Sequence, residues 1–222
     1  LDPIFALGKS VHIGANGVVD LAYLTLTAGS YEDLLALAKR YHNWAMIERT
    51  YQQADFATQT WCAKQDITSK SLIEILQVFS ALLYPFKAVR AAAETIAANH
   101  LGQPGLWRFS ISGDFPILMV EIDDPKQTTL VRETLQAHKY LRSHGVKADL
   151  VIVNCQHTDY GADLNRMLYN LIGQMDSEDQ INQRGGFFIL YKDQMQSDEY
   201  TLLETAARVL FKGANGSIGD QL

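Results

Sequence analysis

Three short apolar runs each end in polar side chains of the kind that hold sugars or divalent cations. Asp123 and Asp124 follow residues 116–122, Asn154 and Gln156 follow residues 149–153, and Lys192 and Asp193 follow residues 186–190. If the runs are parallel strands, these polar groups gather at the carboxyl ends, where open α/β sheets take their ligands. Asp123, Asn154 and Asp193 would then line a polar, acidic crevice suited to a sugar or a cation. Asp and Asn are also routine turn and cap residues, and that use stands beside the first. Asp123-Asp124 has the residue types of a glycosidase pair, because glycoside cleavage needs two carboxylates. Adjacent residues on a strand face opposite ways, so the two make a poor acid/base couple.

A second candidate lies upstream. In Ser112-Gly113-Asp114-Phe115-Pro116 the glycine permits a tight backbone, Asp114 can accept backbone N–H groups, and Pro116 begins a strand. Ser112 does not sit in a nucleophile elbow, which follows a strand and opens a helix; this string enters a strand. Trp107, close by, offers a flat face for stacking on a sugar. Trp107, Ser112 and Asp114 thus form either a ligand-contact loop or a structural one. Trp44 and Trp61 sit at helical spacing and read as packing residues.

None of the six histidines shows the two-histidine spacing of a metal site on a helix. Cys155-Gln156-His157 alone is a weak metal signal, and His138 is expected to pack or hydrogen-bond under the sheet. There is no Walker loop and no dinucleotide-binding glycine fingerprint. The residues assign no catalytic group, no metal and no cofactor.

The elements that would position these groups follow from periodicity. Residues 1–28 read as two strands joined by a turn at Asn16-Gly17. A hairpin alone is marginal in water, so it must dock on other strands. Ser30 and Asp33 resemble a capping box, and helical spacing continues through Leu34, Leu37, Ala38 and Tyr41. Helix-compatible sequence runs on from Trp44 to Lys64. Ser69 or Ser71 is placed to cap a further helix carrying Leu72, Ile73, Leu76, Phe79 and Leu83, which Pro85 ends. An Ala-rich helix follows to Asn99. Leu101-Gly102-Gln103-Pro104-Gly105 is a strong break and the expected domain boundary.

Beyond it, strands at 116–122, 149–154 and 186–190 alternate with helices at 126–144, 160–175 and 197–211. That alternation predicts right-handed crossovers and a small, mostly parallel α/β sheet of three strands or slightly more. The expected organisation is a β-hairpin remnant of a sandwich over 1–30, a helical linker over 31–103 and an α/β domain over 104–222.

Composition narrows the function classes. The 222 residues are 47% hydrophobic and 20% charged, ordinary for a globular chain. The net charge of −6 argues against a nucleic-acid footprint and against bulk attraction to anionic lipid. No stretch approaches the ~18 apolar residues of a membrane helix. Two cysteines far apart, Cys62 and Cys155, suggest a reducing compartment more than a disulfide framework, with a single bridge the alternative. The chain opens at Leu1 without an initiator Met, as an excised piece would. An exposed strand edge of the kind expected at 1–30 invites pairing with a second copy.

The string from Gly105 to Ile117, with Gly105-Leu106-Trp107 and Ile111-Ser112-Gly113-Asp114-Phe115-Pro116-Ile117, resembles a stretch of bacterial cyclic β-1,2-glucan synthases. Similarity continues at Ala137-His138, Tyr140-Leu141-Arg142, residues 149–154, Gly185-Gly186-Phe187-Phe188, Asp193-Gln194-Met195 and residues 206–210. Arg108, Phe109 and Phe115 depart from that pattern.

The resemblance implies an internal piece of a long inner-membrane synthase, lying on its cytoplasmic side. One region of such a synthase builds a β-1,2-glucan from UDP-glucose. A C-terminal region similar to cellobiose phosphorylases trims it by phosphorolysis. Neither the glucosyltransferase motifs nor the catalytic barrel is found here, so no catalytic residue carries over. The resemblance implies a non-catalytic organising module whose partners are neighbouring domains of the parent chain. A glucan- or sugar-binding module is the alternative, and a stand-alone carbohydrate-active enzyme a third.

Overall fold

A computed structural model describes residues 6–156, 162–175 and 178–222. His157 and the expected helix start near 160 lie outside the described residues. The chain divides into two compact units, Leu1–Thr60 and Trp61–Leu222.

In the first unit, the turn expected at Asn16-Gly17 is present: the Gly17 N–H donates to Gly14 O at 2.9 Å, and Asn16 takes φ 61°. The strands expected on either side are not paired, and residues 6–29 contain no strand. The physical reason is the one that makes lone hairpins weak. Among the described residues nothing in this unit covers Val18, Leu21 or Tyr23, all of which are exposed. Helix α1 (Tyr31–Tyr41) starts as expected, with Ser30 Oγ accepting the Asp33 N–H at 3.1 Å. Helix α2 (Trp44–Lys64) follows. Trp44 is not a core residue; it is half-exposed and donates Nε1–H to Glu48 at 2.8 Å.

The second unit is a parallel sheet between helices. Its strands are β1 (Ile117–Ile122), β2 (Asp149–Asn154), β3 (Phe187–Tyr191) and β4 (Ala207–Lys212), in the order β3-β2-β1-β4. Every pairing is parallel, with Ile117 opposite Asp149 and Leu150 opposite Phe187. Both faces are buried, which is why these strands read as nearly continuous apolar runs.

On one face Leu118, Val120, Ile122, Leu150 and Ile152 meet α3 (Ser69–Leu83), α6 (Thr128–Ser143) and α7 (Ala162–Gln174). On the other face Ile117, Met119, Val151 and Val153 meet the one-turn α5 (Pro104–Trp107) and α8 (Ser197–Ala206). Short helices α4 (Ala93–Ala98) and α9 (Ile218–Gln221) complete the unit. Helix α3 is capped by Thr68, not by Ser69 or Ser71; Thr68 Oγ1 accepts the Ser71 N–H at 3.1 Å. Trp61 packs as expected, edge-on to Tyr140 with centroids 5.2 Å apart.

The helix expected over 197–211 ends at Ala206, and the rest is strand β4. No loop residue separates the two. Arg90 holds the junction, its guanidinium donating to Ala207 O at 2.6 Å and Thr205 O at 3.3 Å. That contact takes up carbonyls at the helix end and lets the chain turn straight into the sheet. Both cysteines are free thiols. No helix among the described residues is long and apolar enough to cross a membrane.

Candidate functional site

The six residues singled out from the sequence fall at opposite ends of the sheet. Trp107, Ser112 and Asp114 precede β1; Asp123 follows β1, Asn154 ends β2 and Asp193 follows β3. The six residues of β1 separate the groups by about 20 Å, so they are two sites and not one.

At the amino ends of the strands, the 112–116 string acts as a clamp. Gly113 takes φ +75°, and a Cβ there would press on Gln103 Cγ. Gln103 donates Nε2–H to Ser112 O at 2.8 Å and to Asp114 Oδ1 at 3.3 Å, while Ser112 Oγ accepts the Asp114 N–H at 3.2 Å. Asp114 Oδ2 then pairs with Arg184 at 2.8 Å, and that guanidinium lies 4.4 Å from the Phe115 ring centroid. Next along, the Gly185 N–H donates to Asp149 Oδ1 at 2.7 Å. His138 reaches across from α6, its Nε2 2.9 Å from Ala148 O.

The starts of β1, β2 and β3 are therefore tied together by side chains. Burial raises the Asp149 carboxyl above its usual range, against the pull of the Gly185 N–H and Arg184. Burial lowers His138, as befits a packed histidine. Trp107 donates Nε1–H to Ser112 O at 3.4 Å but leaves most of its ring exposed. Beside the clamp lies a groove of about 580 Å³ lined by residues including Gln103, Asp114, Phe115, Thr205 and Arg208.

At the carboxyl ends the expected residues serve mostly as caps. Asp124 and Gln127 form a capping box on the turn Pro125–Gln127, and Gln127 Nε2–H donates to Asp123 Oδ1 at 2.6 Å. Asn154 is buried; its amide donates to Asn165 Oδ1 at 3.1 Å and its oxygen accepts the Gln156 N–H at 2.8 Å. Asp193 sits in the one-turn helix Lys192–Gln194 after β3. Among the described residues no group of histidine, cysteine and carboxylate side chains is arranged to hold a metal.

A charged cluster that sequence reasoning missed occupies the same end. Glu121 of β1 is the register partner of Lys212 of β4. Lys212 Nζ lies 3.4 Å from Glu121 and 3.5 Å from Glu204 of α8. Burial and then Glu121 raise the Glu204 carboxyl. Burial pulls Lys212 down, but the two carboxylates outweigh it and the net shift is upward. Tyr200, one helical turn before Glu204, is pushed far up by burial and then by Glu121. Lys192 Nζ sits 3.9 Å from the Tyr200 ring centroid. One signal lies in the sequence: Glu121 is the lone charge in the apolar run 117–122. Its partners on α8 and β4 carry no local signature.

No protein-family model matches the chain. The chain is 31% identical, over 223 aligned residues, to cyclic beta-(1,2)-glucan synthase NdvB of Rhizobium meliloti (strain 1021). The match takes in 100% of this chain and 8% of that protein, so the chain spans less than a tenth of the relative's length. The similarity suggested by the residues around Ser112-Gly113-Asp114 extends over the whole chain.

Proposed function

We propose that this chain is an internal segment of a cyclic β-1,2-glucan synthase and serves glucan biosynthesis as a non-catalytic module that organises its neighbours. The carrying observation is a match that takes in all of this chain yet only 8% of the synthase. The geometry supports the organising role. The most synthase-like string, 112–116, is engaged in clamping three strands, Asp123 and Asp124 are engaged with Gln127 in a capped turn, and Asn154 is engaged with the Gln156 N–H and Asn165. In this reading UDP-glucose chemistry and phosphorolytic trimming belong to other regions of the parent, and the segment lies on the cytoplasmic side of the inner membrane.

Two measurements test it. The 222-residue chain, given UDP-glucose or a β-1,2-glucan with phosphate, is expected to make no product; turnover would refute the non-catalytic role. In the parent synthase, breaking the clamp with Arg184→Glu is expected to change the yield or ring size of the cyclic product. Unchanged product would remove the organising role.

A glucan-binding module is the second reading, favoured by the exposed Trp107 ring near the 580 Å³ groove. Saturable glucan binding that Trp107→Ala abolishes would select it.

A further inference from the structure

Helix α3 is apolar on more sides than its own unit covers. Ile75, Val78, Ala81 and Leu82 turn inward and are buried in the core. At 3.6 residues per turn, Ile73, Leu76, Gln77, Ser80 and Leu83 share the opposite side. All five are exposed, Ile73 by 60%, Leu76 by 48% and Leu83 by 51%. Just past the helix end, Tyr84 and Phe86 add exposed aromatic rings. A helix facing water ordinarily carries charge on its outer side, whereas a helix apolar all round is buried all round. Helix α6, packed beside α3, shows the ordinary pattern and exposes Thr129, Arg132 and Ser143. Single exposed apolar residues need no explanation, but a continuous set of them marks an interaction surface.

A cavity of about 260 Å³ opens at the end of this face, lined by Gln77, Ser80, Tyr84, Pro85, Phe86 and Leu222. It falls short of the ~300 Å³ at which small-molecule sites begin. It suits one inserted side chain, which is how a protein partner anchors itself.

We propose that this face of α3 is an interface, covered in the parent synthase by an apolar surface of a neighbouring domain of the same polypeptide, with one aliphatic or aromatic side chain seated in the cavity. The proposal rests on the internal-segment reading and names the surface through which the module meets a neighbour. The length of chain outside this segment points to that occupant. The match takes in 8% of the relative, so more than nine-tenths of such a synthase is there to pack against it. A tethered neighbour meets the face at an effective concentration on the order of millimolar, so a modest contact holds it. The partner's chemistry follows from the face. Among the described residues, no carboxylate or ammonium stands on it between Ile73 and Phe86, because Glu74 is turned aside towards Lys70, 3.5 Å away. An anionic membrane surface fits less well. Helices that lie on membranes carry lysine and arginine on their polar face, and this chain has a net charge of −6.

Thiol labelling tests the face. Leu76→Cys is placed in the 222-residue chain and in the parent synthase, and its reaction with N-ethylmaleimide is followed peptide by peptide, which keeps it apart from Cys62 and Cys155. Labelling is expected to be fast in the isolated chain and at least about tenfold slower in the parent. Arg132→Cys on α6 should label alike in both. Adding Ile73→Glu, from an exposed position, should leave the urea midpoint of the isolated chain unchanged and restore fast labelling in the parent. A benzophenone carried on Leu76→Cys should crosslink to residues of the same polypeptide outside this segment. Equal labelling in the two settings, or equal slowing at Leu76→Cys and Arg132→Cys, would overturn the proposal. So would protection already present in the isolated chain, which would mean a second copy or this chain's own residues, and so would an adduct to lipid or to a second synthase molecule. The organising role is read separately, from the product of Arg184→Glu. A bare face with an altered product sinks only the interface, and a covered face with an unchanged product sinks only the organising role.

Discussion

Gly186 has no room for a side chain: an added Cβ would collide with the carbonyl oxygens of Gln180 and Gln183. Both obstacles are backbone and cannot swing aside. Gly186→Ala is expected to cost about 1–3 kcal/mol by overpacking, read from urea midpoints. Gly145 gives the control. It takes φ +79° with open space around its Cβ position, so Gly145→Ala carries only the left-handed strain of about 1–2 kcal/mol.

His138 sets a pH dependence. Its folded pKa is held down by burial, so below the unfolded value of about 6.5 the unfolded chain binds the extra proton. Stability should therefore fall as pH drops below about 6.5, and His138→Gln should flatten urea midpoints measured from pH 8 to 5. Asp149 works with the opposite sign. Its raised carboxyl favours the folded state at acidic pH and loses that contribution as pH rises through the folded value. Sequence alone placed His138 under the sheet, because its spacing with Leu135 and Leu141 marks a buried face. It gave Asp114 a choice of two roles, because the partner, Arg184, lies 70 residues away.

Among the elements, the long helices and the first three strands were legible because each carries its own period and its own stop signals. Strand β4 was not. Its leading Ala207 continues the helical composition of α8, and Leu210 falls at helical spacing from Leu203 and Ala206. What overrides that pattern is tertiary: Val209 and Phe211 are buried on the α6 face and Leu210 on the α8 face, the alternation of a strand. Phe211→Ala is accordingly expected to cost about 3–5 kcal/mol, whereas Arg208→Ala, on an exposed position of the same strand, should stay within about 0.5 kcal/mol. Chemical denaturation of the two variants separates them. The hairpin failed for the reverse reason. Residues 11–27 have strand composition and a correct turn, but composition cannot supply the sheet that a strand needs.

For the whole molecule, the exposed backbone of residues 6–29 should be the first place a protease cuts, while β1 and β2 should hold the slowest amide exchange. Mass spectrometry of a limited digest checks the first expectation and hydrogen exchange the second. The parallel α/β class was legible because it follows from the order of elements. The charged cluster at the β1–β4 crevice was not, because it joins residues from β1, α8 and β4 that no local rule links. The position of β4 also dictates an order of events. Its neighbour β1 is central to the sheet and is translated some ninety residues earlier. Until Ala207 to Lys212 leave the ribosome, one whole side of β1 has nothing to bond with. A nascent chain from which Ala206 but not Ala207 has emerged would therefore present an open strand edge, apolar but for Glu121, and chaperone capture or self-association should peak there and vanish once Lys212 has emerged.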